Sequence, residues 1–167
     1  PPKRNLNIFW EDMAKNILKE IGFTEVYNYS FFGEKEAKFF GYREKELIGL
    51  ENPLSQEQRY LRASLIPNLL KNVEKNLRET SEIRIFELGK IFQTPESEKR
   101  MLTGVMTGEK FYQLKGIVDL LLNKLGISNV WYDEYQPTPD ESKLSIWHSR
   151  KCAEIKINSE EIGFLGE

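Results

Sequence analysis

His148 is the only histidine and Cys152 the only cysteine in the 167 residues. A hydrolytic triad would need His148 as its base, beside a nucleophile and an orienting acid, and no nucleophile elbow stands near it. One histidine and one cysteine cannot close a zinc site, and neither CxxC nor CxH spacing surrounds Cys152. The expectation is therefore an inert, buried thiol and a structural or surface histidine. Asp133-Glu134 and Asp140-Glu141 flank Pro137 and Pro139 and read as solvated loop charge rather than a carboxylate dyad. Neither GxxxxGK[ST] nor GxGxxG occurs, so no phosphate-cradling loop is expected. One ionisable group stands out. In IRIFELGKIF (83–92), Glu87 shares a strand face with Ile83 and Ile85, a carboxylate in an apolar row. Arg84 faces the opposite side. Glu87 is either ion-paired inside the sheet layer or turned to a pocket or a subunit.

These groups need elements to hold them. Leu6, Phe9, Met13, Ile17 and Ile21 recur at helical steps, with Gly22 as the stop. Residues 25–32, rich in aromatics, predict a strand. Residues 33–42 predict a short helix carrying Phe39 and Phe40, and 47–50 a short strand ended by Asn52-Pro53. Ser55 stands three residues before Gln58, a capping-box spacing. Ser64 predicts the cap of a further helix, with Pro67 tolerated in its first turn. That helix carries Leu65, Leu69, Val73 and Leu77 at four-residue steps; Lys71, Glu74, Lys75, Arg78 and Glu79 make its solvated face. Strands 83–92 and 101–107 form an antiparallel hairpin across a polar 94–100 turn. Residues 112–125 predict a helix with Leu114, Val118, Leu121, Leu122 and Leu125 as its buried stripe. Short strands come next at 130–132, 144–148, 152–157 and 162–165, with a turn at Asn158-Ser159. The fold class is mixed α/β (α+β) with a largely antiparallel sheet, in a single domain over 1–167.

Lys plus Arg is 24 and Asp plus Glu is 26, for a net charge of −2. No global positive field draws in nucleic acid. The lone cysteine points to a reducing, cytoplasmic home. The apolar run at 117–122 is cut by Asp119, far short of the roughly 20 residues that cross a bilayer, so no membrane partner is expected. Pro1-Pro2-Lys3-Arg4 opens an amphipathic stretch rather than a signal peptide, and a first residue other than Met suggests a piece of a longer protein.

Three segments resemble the beta subunit of bacterial-type phenylalanyl-tRNA synthetase. NPLSQEQRYLRASLIPNLL (52–70) is similar to that family's NPLS-x-E-x-x-x-LR-x-SL-[IL]-P-x-LL, matching at Asn52, Pro53, Leu54, Ser55, Glu57, Leu61, Arg62, Ser64, Leu65, Pro67, Leu69 and Leu70. Asn68 stands where Gly is common. IFELGKIF (85–92) resembles FE-x-G-x-[VI]-F and includes Glu87 and Gly89. The stretch 148–167 is similar to HPGRSA-x-I-x-x-NG-x-x-IG-x-x-GE, through His148, Ala153, Ile155, Asn158, Ile162, Gly163, Gly166 and Glu167. Ser149, Arg150, Cys152 and Ser159 depart from it. Leu114-Lys115-Gly116 resembles the family's DLKG, with Gln113 in place of Asp.

The resemblance implies a class II aminoacyl-tRNA synthetase-like core, an antiparallel sheet flanked by helices, that is catalytic-like yet holds no catalytic residues and no cofactor. It implies pairing with an alpha subunit in an (αβ)₂ enzyme that uses ATP and magnesium to attach phenylalanine to tRNA(Phe). The strand 83–93 occupies the place of the class II second motif, whose catalytic versions end in an Arg that clamps ATP. Gln93 stands there, neutral and without a bidentate, charge-assisted grip. The third class II motif would lie beyond Glu167. The link at 108–110 is shorter than the family's, which usually carries a Trp. Two other readings compete. A free-standing class II-like enzyme is opposed by Gln93, and a tRNA-binding module by the interleaving of Glu74 and Glu79 with Lys71, Lys75 and Arg78. The resemblance singles out Asn52, Pro53, Ser55, Arg62, Ser64, Pro67, Glu87 and Gly89 as a structural or interface set. Arg62 then pairs inside the domain, with Glu87 one candidate partner, grips a neighbouring subunit, or stays free in solvent.

Overall fold

The computed structural model describes residues 5–95, 97–134, 147–148 and 150–167. Most of the predicted strand 144–148, the Asp140-Glu141 pair and Ser149 lie outside the described residues. In chain order the elements are α1 (Leu6–Glu20), β1 (Thr24–Glu25), β2 (Phe31–Phe32), α2 (Glu34–Phe39), β3 (Tyr60–Leu61), α3 (Ile66–Asn76), β4 (Arg84–Thr94), β5 (Ser97–Met106), α4 (Phe111–Lys124), β6 (Val130–Glu134), β7 (Cys152–Ile157) and β8 (Glu160–Gly166). Two 3₁₀ turns, Glu44–Glu46 and Gln56–Gln58, lie between α2 and β3. The strands are mixed with helices and pair mostly antiparallel. The chain forms two compact units: Thr24–Thr107, and Pro1–Phe23 with Gly108–Glu167.

In the unit Thr24–Thr107 the long β4–β5 hairpin is antiparallel, and β1 runs parallel to β4 on its other edge. Ile83, Ile85 and Ile91 project from one strand face onto Leu65, Leu69 and Val73, the apolar stripe of α3 and its cap. Burying each of these side chains contributes about 1.5–3 kcal/mol. Leu77, expected in the same stripe, is half exposed because α3 ends at Asn76. A second cluster gathers Phe32, Ala37 and Tyr60.

The structure revises four local expectations. Residues 25–32 do not form one strand: β1 ends at Glu25 and β2 begins at Phe31. Ser55 makes no side-chain cap, because it opens only a three-residue 3₁₀ turn whose Gln58 amide bonds the Ser55 carbonyl. Ser64 stands one residue before the N-cap Leu65, and its hydroxyl accepts from the Ile66 amide at 3.2 Å. The expected 94–100 turn is mostly strand, since pairing continues to Thr94 opposite Ser97.

In the other unit, Asn5 caps α1 by accepting from the Asn7 and Ile8 amides. Gly22, at φ +90, turns the chain out of the helix as the sequence requires. Ala14, Ile17 and Leu18 are the buried face; Leu6, expected on it, is exposed. β6, β7 and β8 form an antiparallel meander, and Asn158 takes the left-handed conformation in its last turn. Of the expected α4 stripe only Leu121 is fully buried; Leu114, Val118, Leu122 and Leu125 are half-buried. The link before α4 is short: Gly108 turns at φ +93, and Lys110 is already the cap. The Phe111 amide donates to the Glu167 carboxylate at 2.8 Å, so the last residue of the 148–167 segment holds the start of α4. No helix among the described residues is long and apolar enough to cross a membrane.

Candidate functional site: a buried arginine clamp

Arg62 follows β3 and is 3 % exposed; Glu87, at the centre of β4, is equally buried. A lone charge at either place would cost several kcal/mol. They lie together, Arg62 Nη1 donating to Glu87 Oε1 at 2.7 Å. Main chain takes more of the guanidinium: Nε donates to the Lys90 carbonyl at 2.8 Å, and Nη1 also reaches the Asn28 and Tyr29 carbonyls at 3.4 and 3.5 Å. The Arg62 peptide takes part too, its N–H donating to the Ser30 carbonyl and its C=O accepting from the Phe92 amide. Thus the β4 edge that β1 abandons after Val26 is closed by Arg62, with no further strand.

Glu87 completes the clamp. Its Oε1 accepts from the Asn28 amide at 3.3 Å and its Oε2 from Asn28 Nδ2 at 2.7 Å. These bonds bend the chain off β4 at Asn28, which is why the predicted strand 25–32 breaks. Gly89 lies on the same β4 face as Glu87, two residues along. A Cβ there would fall closer to Arg62 Nη2 than real Cβ contacts come, and 3.2 Å from Glu87 Oε1. The glycine of the FE-x-G segment is thus the hollow in which the guanidinium of the 52–70 motif rests. Two separate sequence motifs form one structure.

The eight singled-out residues divide. Arg62, Pro67, Glu87 and Gly89 are buried and Ser64 is half-buried. Arg62, Glu87 and Gly89 meet in the clamp, whereas Ser64 and Pro67 shape the start of α3. Asn52, Pro53 and Ser55 are exposed, and Leu54 between them is 93 % exposed. Of the alternatives for Arg62, the internal pair is the arrangement found. Sequence reasoning passed over Asn28 and Asn72, and noted Asn68 only as a departure. Their signal was the four-residue spacing of Asn68, Asn72 and Asn76 beside the leucine stripe.

The other candidate groups assemble no reaction centre. His148 is exposed, and its Nδ1 accepts from the Arg150 amide. The half-buried Cys152 thiol donates to the His148 carbonyl at 3.1 Å, and burial pushes its pKa up, away from the nucleophilic thiolate. Asp133 pairs with Lys156 at 2.9 Å, which holds its carboxyl below the ordinary range. Among the described residues no group of three or more His, Cys, Asp or Glu could hold a metal. Gln93 occupies a bulge, where the register of β4 on β5 shifts between Phe92 and Thr94. A bulge re-aims its side chain, and here the side chain re-aimed is neutral.

Comparison with known proteins agrees with these motifs. The family model described as the phenylalanyl tRNA synthetase beta chain CLM domain matches residues 2–167. The phenylalanine–tRNA ligase beta subunit of Fusobacterium nucleatum is 31% identical over 186 residues, covering 99% of this chain and 22% of the relative. That of Bacillus subtilis is 33% identical over 173 residues, covering 92% of this chain and 21% of the relative. The chain thus spans about a fifth of the length of the curated relatives it matches. Among solved structures, a pyrrolysyl-tRNA synthetase from Desulfitobacterium hafniense superposes with a TM-score of 0.74 at 18% identity, covering 92% of this chain and 56% of that one. Another structure of that organism's pyrrolysyl-tRNA synthetase gives 0.72 at 18% identity, over 95% and 55%. At that identity the likeness speaks for the fold alone. With a family model spanning all but its first residue, and two of its motifs meeting in one clamp, the chain belongs to the phenylalanyl-tRNA synthetase beta chain CLM-domain family.

Proposed function

We propose that this chain is a class II-like core that performs no catalysis itself and serves as a structural half of a phenylalanine–tRNA ligase. In that assembly it pairs with the alpha subunit of an (αβ)₂ enzyme, and the alpha subunit carries ATP, magnesium and the reacting phenylalanine. The observation that supports this most is where the cationic and neutral groups of the β4–β5 hairpin fall. The end of β4 does not fit a nucleotide triphosphate, because Gln93 brings no charge to it. The one fully buried cation among the described residues, Arg62, has its bonds taken up by Glu87 and by carbonyls. A phosphate would have to compete with a desolvated carboxylate already at 2.7 Å. The Nε and Nη1 donors that could have gripped a ligand hold the fold together instead. The exposed Asn52-Pro53-Leu54-Ser55 stretch is a natural candidate for contact with another subunit.

The test has two arms. The chain alone is assayed for amino-acid-dependent ATP–pyrophosphate exchange with each of the twenty amino acids, and is expected to stay at the blank. It is then mixed with the cognate alpha subunit and followed by light scattering, where a stable complex is expected. Exchange above blank by the chain alone would overturn the non-catalytic reading; absence of a complex would overturn the pairing. A tRNA affinity in the nanomolar range at physiological salt, rather than the ~10⁻⁴–10⁻⁶ M of non-specific contact, would favour a tRNA-binding module.

A further inference from the structure

α3 carries Asn68, Asn72 and Asn76 at steps of four, a polar stripe beside its leucine stripe. Asn68 is 8 % exposed in the first turn, and its amide donates to the Tyr29 carbonyl at 2.9 Å and the Phe31 carbonyl at 3.4 Å. Asn72 donates to Asn28 Oδ1 at 2.9 Å, and the other end of that same Asn28 amide donates to Glu87. Asn76 donates only back to the Asn72 carbonyl of its own helix. So the carbonyls of residues 28 to 31 are held from two sides: Asn28 and Ser30 by Arg62, Phe31 by Asn68, and Tyr29 by Asn68 at 2.9 Å with Arg62 Nη1 farther off at 3.5 Å. The segment is fastened from the sheet by a charged pair and from α3 by neutral amides.

We infer that Asn68 and Asn72 are positioning residues: together they form a charge-independent latch that fixes the 28–31 backbone off the sheet. Arg62 and Glu87 alone would hold the segment at one edge. Without the amides of α3, the stretch 25–32 is free to follow its intrinsic preference and continue β1 along β4, because its aromatic and β-branched content favours a strand. The latch decides against that, and it presents Tyr27 and Tyr29, each about three-quarters exposed, in a fixed frame. The inference concerns local geometry and stands whether or not the chain pairs with an alpha subunit.

The test is hydrogen exchange on the full chain carrying Asn68→Leu, Asn72→Leu or, as a control, Asn76→Leu. Leucine keeps the branch point and heavy-atom count of the side chain and removes the donor. The reporters are the amides of Asn28 and Arg62, bonded to Glu87 and Ser30; the references are the β4–β5 ladder amides. Asn68→Leu and Asn72→Leu are each expected to speed exchange of the reporters at least tenfold while the references change less than twofold. Asn76→Leu should leave both sets unchanged. If the reporters do not accelerate, or if reporters and references accelerate together, the latch is refuted. Should Asn68→Leu fail to fold, the half-buried Asn72 site decides by the same criterion.

Discussion

Gly89→Ala is the smallest change that tests whether the clamp is built as described. Gly89 has no positive φ, so its backbone is open to any residue. Without a steric conflict, alanine in a strand should stabilise by about 0.5–1 kcal/mol, because glycine loses more freedom on folding. The structure reverses that sign. The new methyl would strike Arg62 Nη2, and the guanidinium is pinned by the Lys90 carbonyl on one side and Glu87 on the other. If Arg62 gave way, a buried pair would break at about 3–5 kcal/mol. If β4 shifted instead, overpacking would cost about 1–3 kcal/mol. The chain takes the cheaper route, so the net destabilisation should be about 2 kcal/mol. For a domain of this size that lowers Tm by roughly 4–8 °C. Urea unfolding gives the free energy, and a double-mutant cycle with Arg62→Ala identifies its source. On the Arg62→Ala background only the 3.2 Å approach to Glu87 Oε1 remains, on a carboxylate no longer held by its cation, and Gly89→Ala should be close to neutral. A single Gly89→Ala that stabilises, or a cost that persists without Arg62, would refute the clamp as the reason for the glycine.

Arg62→Ala by itself should cost about 3–5 kcal/mol in urea unfolding, because Glu87 is left charged and buried; a loss under 1 kcal/mol would mean the pair is solvated. Burial alone would raise the Glu36 carboxyl, but its ion pair with Lys71 and the bonds from its own amide and that of Gly33 outweigh this and hold it below 4.5. A depressed carboxylate stabilises above the unfolded value and loses that contribution as pH falls through the folded one. Stability of the chain should therefore drop below about pH 4.5, and Glu36→Gln should flatten that part of a pH–stability curve. Burial, reinforced by its 2.6 Å bond to Asp119, pushes the Tyr132 phenol far above its ordinary 10.0. In an ultraviolet titration Tyr132 should ionise above the ordinary tyrosine range, and Asp119→Asn should bring it earlier.

Much of the fold was legible because it rests on periodicity. Leu65, Leu69 and Val73 announce α3, and the alternating IRIFELGKIF run announces β4, since each pattern reflects one buried face. The break in 25–32 was not legible. Its composition favours a strand, and the bonds that override it come from Glu87, 59 residues away in sequence from Asn28. A local pattern holds no record of a partner that distant. The Ser55 capping box failed for a related reason. Its S-x-x-Q spacing was present, yet the turn it opens stops after three residues and never becomes a helix. Glu87 itself was conspicuous as a carboxylate in an apolar row. The row alone could not reveal which cation answers it; the 52–70 motif supplied Arg62 as one candidate, and the structure pairs the two.

The clamp is a costly way to fasten a sheet edge, and the cost explains its form. A buried ion pair is seldom more stabilising than apolar packing of the same volume. Its advantage is direction: a guanidinium and a carboxylate bond only in a few geometries, and each bond here ends on a specific backbone atom. Arg62 and Glu87 together fix residues 28–30 and β4 at Lys90, two segments that apolar contacts would let slide. Directional fastening matters most where a surface must keep its shape without a substrate to organise it. An active site can close around its ligand and draw on binding energy for order. In the scaffold role proposed above a core has no such source, so its order must be built in. The buried network of this chain supplies that order, and it leaves the exposed Tyr27 and Tyr29 on a frame that is already set.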